Sequence, residues 1–254
     1  MAGSLGYSKY CAAGVSGYLV SPPESRHALL TIRHTAGVPP WSDDGLHVHS
    51  RSEEYYLLLH GALHINVAGH VYPLLPREML GVRAGVPHAV VGGQGPIEHF
   101  GFRAPAMPDR QLVAGAHFGA SDVDWVGPRD ITMPWGFRAS FSERSNCNCW
   151  LVGKGEATHD SDDFLFAFLD FPTTEQATAG MGTRLRMHAH TQSWEYYLCL
   201  EGSKTLQVQE NTVEVQGGEI VEVHPGARHN VIDRRAPYVG ATFRVPLLND
   251  KIEA

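Results

Sequence analysis

Four residues able to bind a metal, His47, His49, Glu54 and His88, recur as His188, His190, Glu195 and His229, each 141 positions later. A constant offset over four such residues requires two copies of one segment in gap-free register. Placing 47–105 on 188–246 gives 19 identities in 59 positions, including Glu-Tyr-Tyr-Leu at 54–57 and 195–198. Gly61 falls on Gly202, Gly85 on Gly226, and Phe102-Arg103-x-Pro105 on Phe243-Arg244-x-Pro246. A period this long is a duplicated domain and not a solenoid unit, so the chain is expected to fold as two similar domains.

The local pattern is that of strands. Short apolar or alternating runs at 28–32, 55–59, 63–67, 212–215, 219–223 and 238–245 are separated by Gly, Pro, Asn and Asp, the spacing of antiparallel strands and hairpins. The expected class is all-β. The best helix candidate is 105–120, bracketed by Pro108 and Gly115, read as the connection between domains 1–120 and 121–254. Trp125 and Trp135 would then open the second domain. If Tyr18-Leu19-Val20 matches Trp150-Leu151-Val152, the second copy carries about nine extra residues before its first histidine, placed at 173–183. Long loops beside a ligand cluster are where selectivity tends to reside.

A formal charge of −7 over 254 residues, without a basic cluster, argues against nucleic acid or an anionic membrane as partner. The N-terminus lacks a continuous apolar run and 164–171 is too short to span a bilayer, so a soluble, cytoplasmic protein is expected. Its four cysteines read as free thiols. The spacing of Cys147 and Cys149 suits neither an unstrained disulfide nor a CxxC motif.

On a strand, residues i and i+2 share a face, so His47 and His49 project together, as do His188 and His190. Glu54 and Glu195 open the next apolar runs, while His88 and His229 follow Gly-bearing turns. Strands closing into a barrel would bring each set together. Three imidazoles and a carboxylate suit a divalent cation, iron first, with manganese, nickel, zinc or copper as alternatives. Four protein ligands leave two positions of an octahedron open to a chelating substrate, or to substrate and dioxygen together. The net positive charge of such a centre favours anionic oxygens on a small-molecule substrate.

Gly45-Leu-His47-Val-His49-x4-Glu54-x6-Gly61 with Gly85-Val-Pro87-His88, and His188-Ala-His190-x4-Glu195-x6-Gly202 with Pro225-Gly226-Ala-Arg-His229, resemble the two motifs of the cupin superfamily. The chain therefore resembles a bicupin. Two turn positions depart from the family pattern: Trp41 stands where Gly182 fits in the second copy, and Gly92 and Asp233 stand where the second motif usually ends in Asn. The resemblance implies two tandem double-stranded β-helix (jelly-roll) cupin barrels, one divalent metal in each, and a homodimer. It implies no single reaction, since cupins include dioxygenases, decarboxylases, isomerases, cyclases and binding proteins.

Tyr56 and Tyr197 lie two residues beyond the ligand glutamates and alternate inward, as proton donors or as barrel filling. Arg184 and Arg186 precede His188 and His190 at the same alternation. An early strand start would aim Arg186 inward as a carboxylate anchor, and a later start would leave both arginines in solvent. Arg103 and Arg244 read as structural strand-end residues. His60, His64, His70, His99 and His224 read as ordinary surface or loop histidines, with His224 near enough to His229 to support it. The functional expectation is a metal-dependent non-haem dioxygenase acting on a small anionic, phenolic or enolic metabolite. Non-redox isomerisation, decarboxylation or cyclisation, or metal-stabilised ligand binding, are the alternatives.

Overall fold

The computed structural model describes residues 6–12, 16–20, 29–37, 45–114, 130–141, 147–155, 157–179 and 186–253. The strands run, in chain order, β1 (Tyr7–Cys11), β2 (Gly17–Val20), β3 (Thr31–Gly37), β4 (His47–His49), β5 (Glu53–Val67), β6 (His70–Leu74), β7 (Glu78–Val82), β8 (His88–Ala104), β9 (Arg110–Leu112), β10 (Ile131–Met133) and β11 (Gly136–Ser140). They continue as β12 (Cys147–Gly153), β13 (His159–Asp160), β14 (Leu165–Phe171), then helix α1 (Thr174–Thr178), β15 (His188–His190), β16 (Trp194–Val208), β17 (Asn211–Gln216), β18 (Glu219–Val223), β19 (His229–Val245) and β20 (Lys251–Glu253). Two ten-stranded sheets result, one per repeat, each wound as a jelly roll. Among the described residues no helix is long and apolar enough to cross a membrane.

Each barrel is organised by one pair of long strands. β5 pairs antiparallel with β8 along its length and also meets β6 and β7; β16 does the same with β19, β17 and β18. Register shifts flank Gly61 and Gly202, and an irregular extra residue bends and twists a strand. Both glycines have left-handed φ, +79° and +74°, and a Cβ there would lie 2.5 Å from the Pro96 oxygen or 2.2 Å from the Pro237 oxygen. Only glycine permits that bend, which explains its recurrence in register. Inside, Leu58, Leu63, Ile65, Val67, Leu74 and Leu80 fill the first barrel. Leu206, Val208, Val213, Val215, Val221 and Val223 fill the second.

The chain divides into two compact units, Gly14–Glu143 and Met1–Ala13 with Arg144–Ala254. The boundary expected at 120 is therefore displaced. β11 pairs with β7 of the first repeat, and β1 pairs with β18 of the second. The strand preceding each repeat thus completes the sheet of the other, because β7 and β18 would otherwise present an unpaired edge. Trp135 belongs to the first core, 4.9 Å from the Tyr72 ring, and does not open the second domain. Trp125 lies outside the described residues.

Two local expectations also change. No helix forms in the described part of 105–120; β9 forms instead, pairing with β4, because Pro105 and Pro108 interrupt a helix and an inter-strand ladder is available. The helix is α1, in the stretch read as a loop. Its Thr173 and Gln176 form a capping box: Thr173 Oγ1 accepts from Gln176 N at 3.3 Å and Gln176 Oε1 accepts from Thr173 N at 3.2 Å. β3 and β14 are offset by 134, since Thr31 and Leu165 pair with the equivalent Arg103 and Arg244, whereas β4 and β15 are offset by 141. Seven of the extra residues therefore lie between β14 and β15, around α1.

The β7–β11 contact contains a buried ion pair. Arg138 Nη2 and Nε donate to Glu78 Oε2 at 3.0 and 3.3 Å, with the two residues 3% and 0% exposed. Removing one partner of such a pair strands the other charge, at a cost of about 3–5 kcal/mol. Arg138→Ala is expected to lose about that much stability in urea unfolding, and the double variant Glu78→Gln/Arg138→Met markedly less.

Candidate metal centres

β4 and β15 are three-residue strands whose outer histidines face the barrel interior, with His47 directly opposite His88 and His188 directly opposite His229. The ligand glutamates sit near the starts of β5 and β16, opposite Arg103 and Arg244. Turns at Gly85 and Gly226 (φ +83° and +81°) precede β8 and β19, and their N–H groups donate to the carbonyls of His49 and His190 at 2.7 and 2.6 Å. Each set converges, with one ligand atom per residue and all four within 4.8 Å of one another.

Hydrogen bonds on the far side of each ring settle which nitrogen faces the centre. His47, His88, His188 and His229 direct Nδ1 to the carbonyls of Gly45, Val86, Arg186 and Ala227 at 2.8–2.9 Å. His49 and His190 direct Nδ1 to Asp109 Oδ1 and Asp250 Oδ1 at 3.0 and 3.1 Å. These oxygens only accept, so Nδ1 carries the proton and a neutral ring presents an Nε2 lone pair inward. In the first barrel those lone pairs lie 3.5, 3.2 and 2.9 Å from Glu54 Oε2. In the second they lie 3.5, 3.3 and 2.7 Å from Glu195 Oε2. Acceptors facing one another at this range repel unless a cation stands among them, so the donor sets fit a divalent metal.

With no cation in place, burial raises the carboxyl groups of Glu54 and Glu195, while hydrogen bonds from their three histidines, given when a ring carries a proton on Nε2, hold both well below the usual range; a metal would take the place of those protons. Both are anionic and able to ligate.

Asp109 and Asp250 were missed in the sequence, although they too stand 141 apart, just past the last identity noted. Asp109 also accepts from Arg51 N, Ser52 N and Ser52 Oγ at 2.8–2.9 Å. Asp250 accepts from Gln192 N, Ser193 N and Ser193 Oγ at 2.7–2.9 Å. Burial opposes ionisation of each, yet these bonds bring both down to about 2. Each aspartate therefore ties the loop after a ligand strand to the ligand itself.

Tyr56 and Tyr197 are 5% and 3% exposed and set edge-on to His88 and His229, at 6.5 and 6.1 Å between ring centroids. Burial, then the charge of Glu195 and a hydrogen bond to it, raise the Tyr197 hydroxyl well above its ordinary value. Arg244, read as a strand-end residue, places its Nη1 3.2 and 3.4 Å from the two ring nitrogens of His190. Arg186 is corrected: its side chain is 67% exposed, 3.9 Å from Glu253, because β15 begins only at His188. Its backbone carbonyl orients His188. Arg184 lies outside the described residues.

Of the remaining histidines, His60 and His70 are exposed, whereas His64, His99 and His224 are buried. His224 meets Ser8 Oγ at 3.1 Å, and its ring packs tilted against Trp194 at 5.0 Å between centroids. Cys11, Cys149 and Cys199 are free.

The Cupin domain family matches residues 177–235. No curated protein matches the chain. Among solved structures the chain is similar to the formate complex of oxalate decarboxylase from Lactobacillus farciminis, at 14% identity and a TM-score of 0.60, covering 96% of this chain and 88% of that one. It is similar to a salicylate 1,2-dioxygenase from Pseudaminobacter salicylatoxidans, at 11% identity and a TM-score of 0.64, covering 91% and 76%. A Bacillus subtilis oxalate decarboxylase variant gives 12% identity and a TM-score of 0.58, covering 99% and 80%. At these identities the likeness is one of fold.

Two outcomes follow. Outer hydrogen-bond partners of metal-binding histidines are worth about 10–100-fold in metal affinity, so Asp109→Asn and Asp250→Asn should each weaken retention by the barrel concerned to that extent in a chelator competition. Because folding depresses these carboxyls from 3.8 to about 2, their stabilisation is present above pH 4 and lost as pH falls through 2. Acid titration of metal-free Asp250→Asn should start from lower stability and lose less across that window than the unsubstituted chain.

Proposed function

Because the chain is a bicupin, with the Cupin domain matched in its second half and the two-barrel fold throughout, we propose that it is a metal-dependent non-haem dioxygenase acting on a small organic acid that bears a phenolic or enolic oxygen. The observation that carries this reading is the pair of three-histidine, one-glutamate sets, the histidines buried and the glutamates partly so, with every Nε2 turned inward. His47, His49, Glu54 and His88 would hold one cation, and His188, His190, Glu195 and His229 the other. Iron bound there would supply Lewis-acid and one-electron chemistry.

The chain's own groups determine what surrounds each centre. The three histidines of each set are buried, which strengthens electrostatic contacts with an anionic substrate. Arg244 adds a positive charge beside His190. The Tyr197 hydroxyl, kept protonated next to Glu195, holds a proton ready for a developing anion. Tyr197 also supports a second reading, non-redox decarboxylation, in which that proton would be delivered to the carbon that has lost carbon dioxide. The fold shared with oxalate decarboxylases is compatible with this alternative.

Oxygen consumption by Fe(II)-loaded protein with salicylate, other hydroxybenzoates and enolisable keto acids separates the two. One equivalent of oxygen consumed per substrate supports the dioxygenase. Turnover unchanged under strict anaerobiosis supports the decarboxylase, and no turnover in either condition contradicts both. Tyr197→Phe should lower kcat by roughly 10²-fold with metal content and KM little changed.

A further inference from the structure

Within the second barrel, Lys204 on β16 stands directly opposite Arg234 on β19. Both are buried, at 1% and 8% exposure. The Lys204 ammonium lies 4.7 Å from the Tyr197 ring centre and 5.1 Å from that of Tyr238. The Arg234 guanidinium lies 5.3 Å from Phe171 and 5.9 Å from Tyr238, and its Nη1 donates to Ala177 O of α1 at 3.1 Å. Like charges facing each other across a strand pair repel. Among the described residues no carboxylate pairs with either, and Lys204 Nζ, Arg234 Nε and Tyr238 Oη are buried without a hydrogen-bond partner. Aromatic faces attract cations but do not replace the oxygens that buried N–H groups require.

The arrangement belongs to one repeat only. A register shift between Thr205 and Leu206, matched by one between His64 and Ile65 in the first barrel, opposes Asp233 and then Val231, leaving Ile232 extra and outward. Arg234 thereby reaches the cation-bearing face. At the same register the first barrel sets Leu63 opposite Gly93, with Ile97 where Tyr238 stands. Ile97 Cδ1 lies 2.3 Å from where a Cβ on Gly93 would project, so the first barrel closes with hydrocarbon what the second lines with two cations. The insertion carrying α1 supplies the carbonyl that holds Arg234.

We propose that Lys204 and Arg234, with the Tyr238 hydroxyl, form a second anion subsite in the second barrel, so that its substrate is a dianionic small acid with one anionic group at the metal and a carboxylate at this pair. The inference rests on the reading that this barrel binds its substrate at the metal. Tyr197 links the two positions, with its hydroxyl on Glu195 and its ring beneath Lys204. Three unpartnered donors match the lone pairs of one carboxylate. Burial and the adjacent Arg234 hold the free amine well below the ordinary lysine value, and an arriving carboxylate favours its protonated form.

Calorimetric titration of metal-loaded protein with acetate, propionate, malonate, succinate and glutarate tests this. At least one dicarboxylate should bind about ten-fold or more tighter than either monocarboxylate. Lys204→Met should remove that preference, retain both metals and the monocarboxylate affinity, and raise the ligand-free melting temperature by eliminating a buried amine without a hydrogen-bond partner. Arg234→Gln should remove the preference as well, and serves if Lys204→Met does not fold. Monocarboxylate binding without a dicarboxylate preference, or a preference surviving both substitutions, overturns the subsite alone. Absence of any carboxylate binding overturns the metal-site reading with it.

Discussion

Three imidazole lone pairs and a carboxylate oxygen directed at one point inside a barrel repel one another, and a cation among them reverses the sign of every pairwise term. Much of the surrounding architecture serves to hold the groups in that arrangement. Two-residue alternation in β4 and β15 aligns two histidines, direct cross-strand pairing brings in the third, and backbone carbonyls fix four of the six ring tautomers. Asp109 and Asp250 fix the other two while stitching down the loops that follow. These constraints occur in both barrels at one offset, so the chain contains the same centre twice.

The centres differ in their surroundings. Lys204 on β16 and Arg234 on β19, the latter held by the α1 insertion, put two basic side chains inside the second barrel, where the first has leucine, glycine and isoleucine at the same register. Such a cation pair is costly in an empty barrel and favourable when an anion bridges it. Duplication supplied the metal chemistry twice, and subsequent divergence gave one copy an additional charge requirement.

Much of this was legible from residues alone. The ligand sets, the all-β class and the inward tyrosines follow from alternation and a constant offset, both local properties of the chain. Asp109 and Asp250 carried the same signal but lay beyond the last identical block, and Asp109 fell inside a stretch read as helical. The domain boundary was not legible, because the strand before each repeat pairs with the other repeat, a long-range choice that no local pattern records. Arg186 was misplaced because one residue of strand start decides whether a side chain faces a barrel or solvent. Lys204 and Arg234 passed unnoticed because a bulge resets the alternation by which an inward face is counted.

Elemental analysis of protein purified without added metal, compared with single His88→Ala and His229→Ala variants, bears most directly on the pair of centres. Two equivalents of divalent metal per chain, falling to one in each variant, is the expected result. A chain that binds no metal after reconstitution, or keeps two equivalents when either histidine is removed, would contradict it.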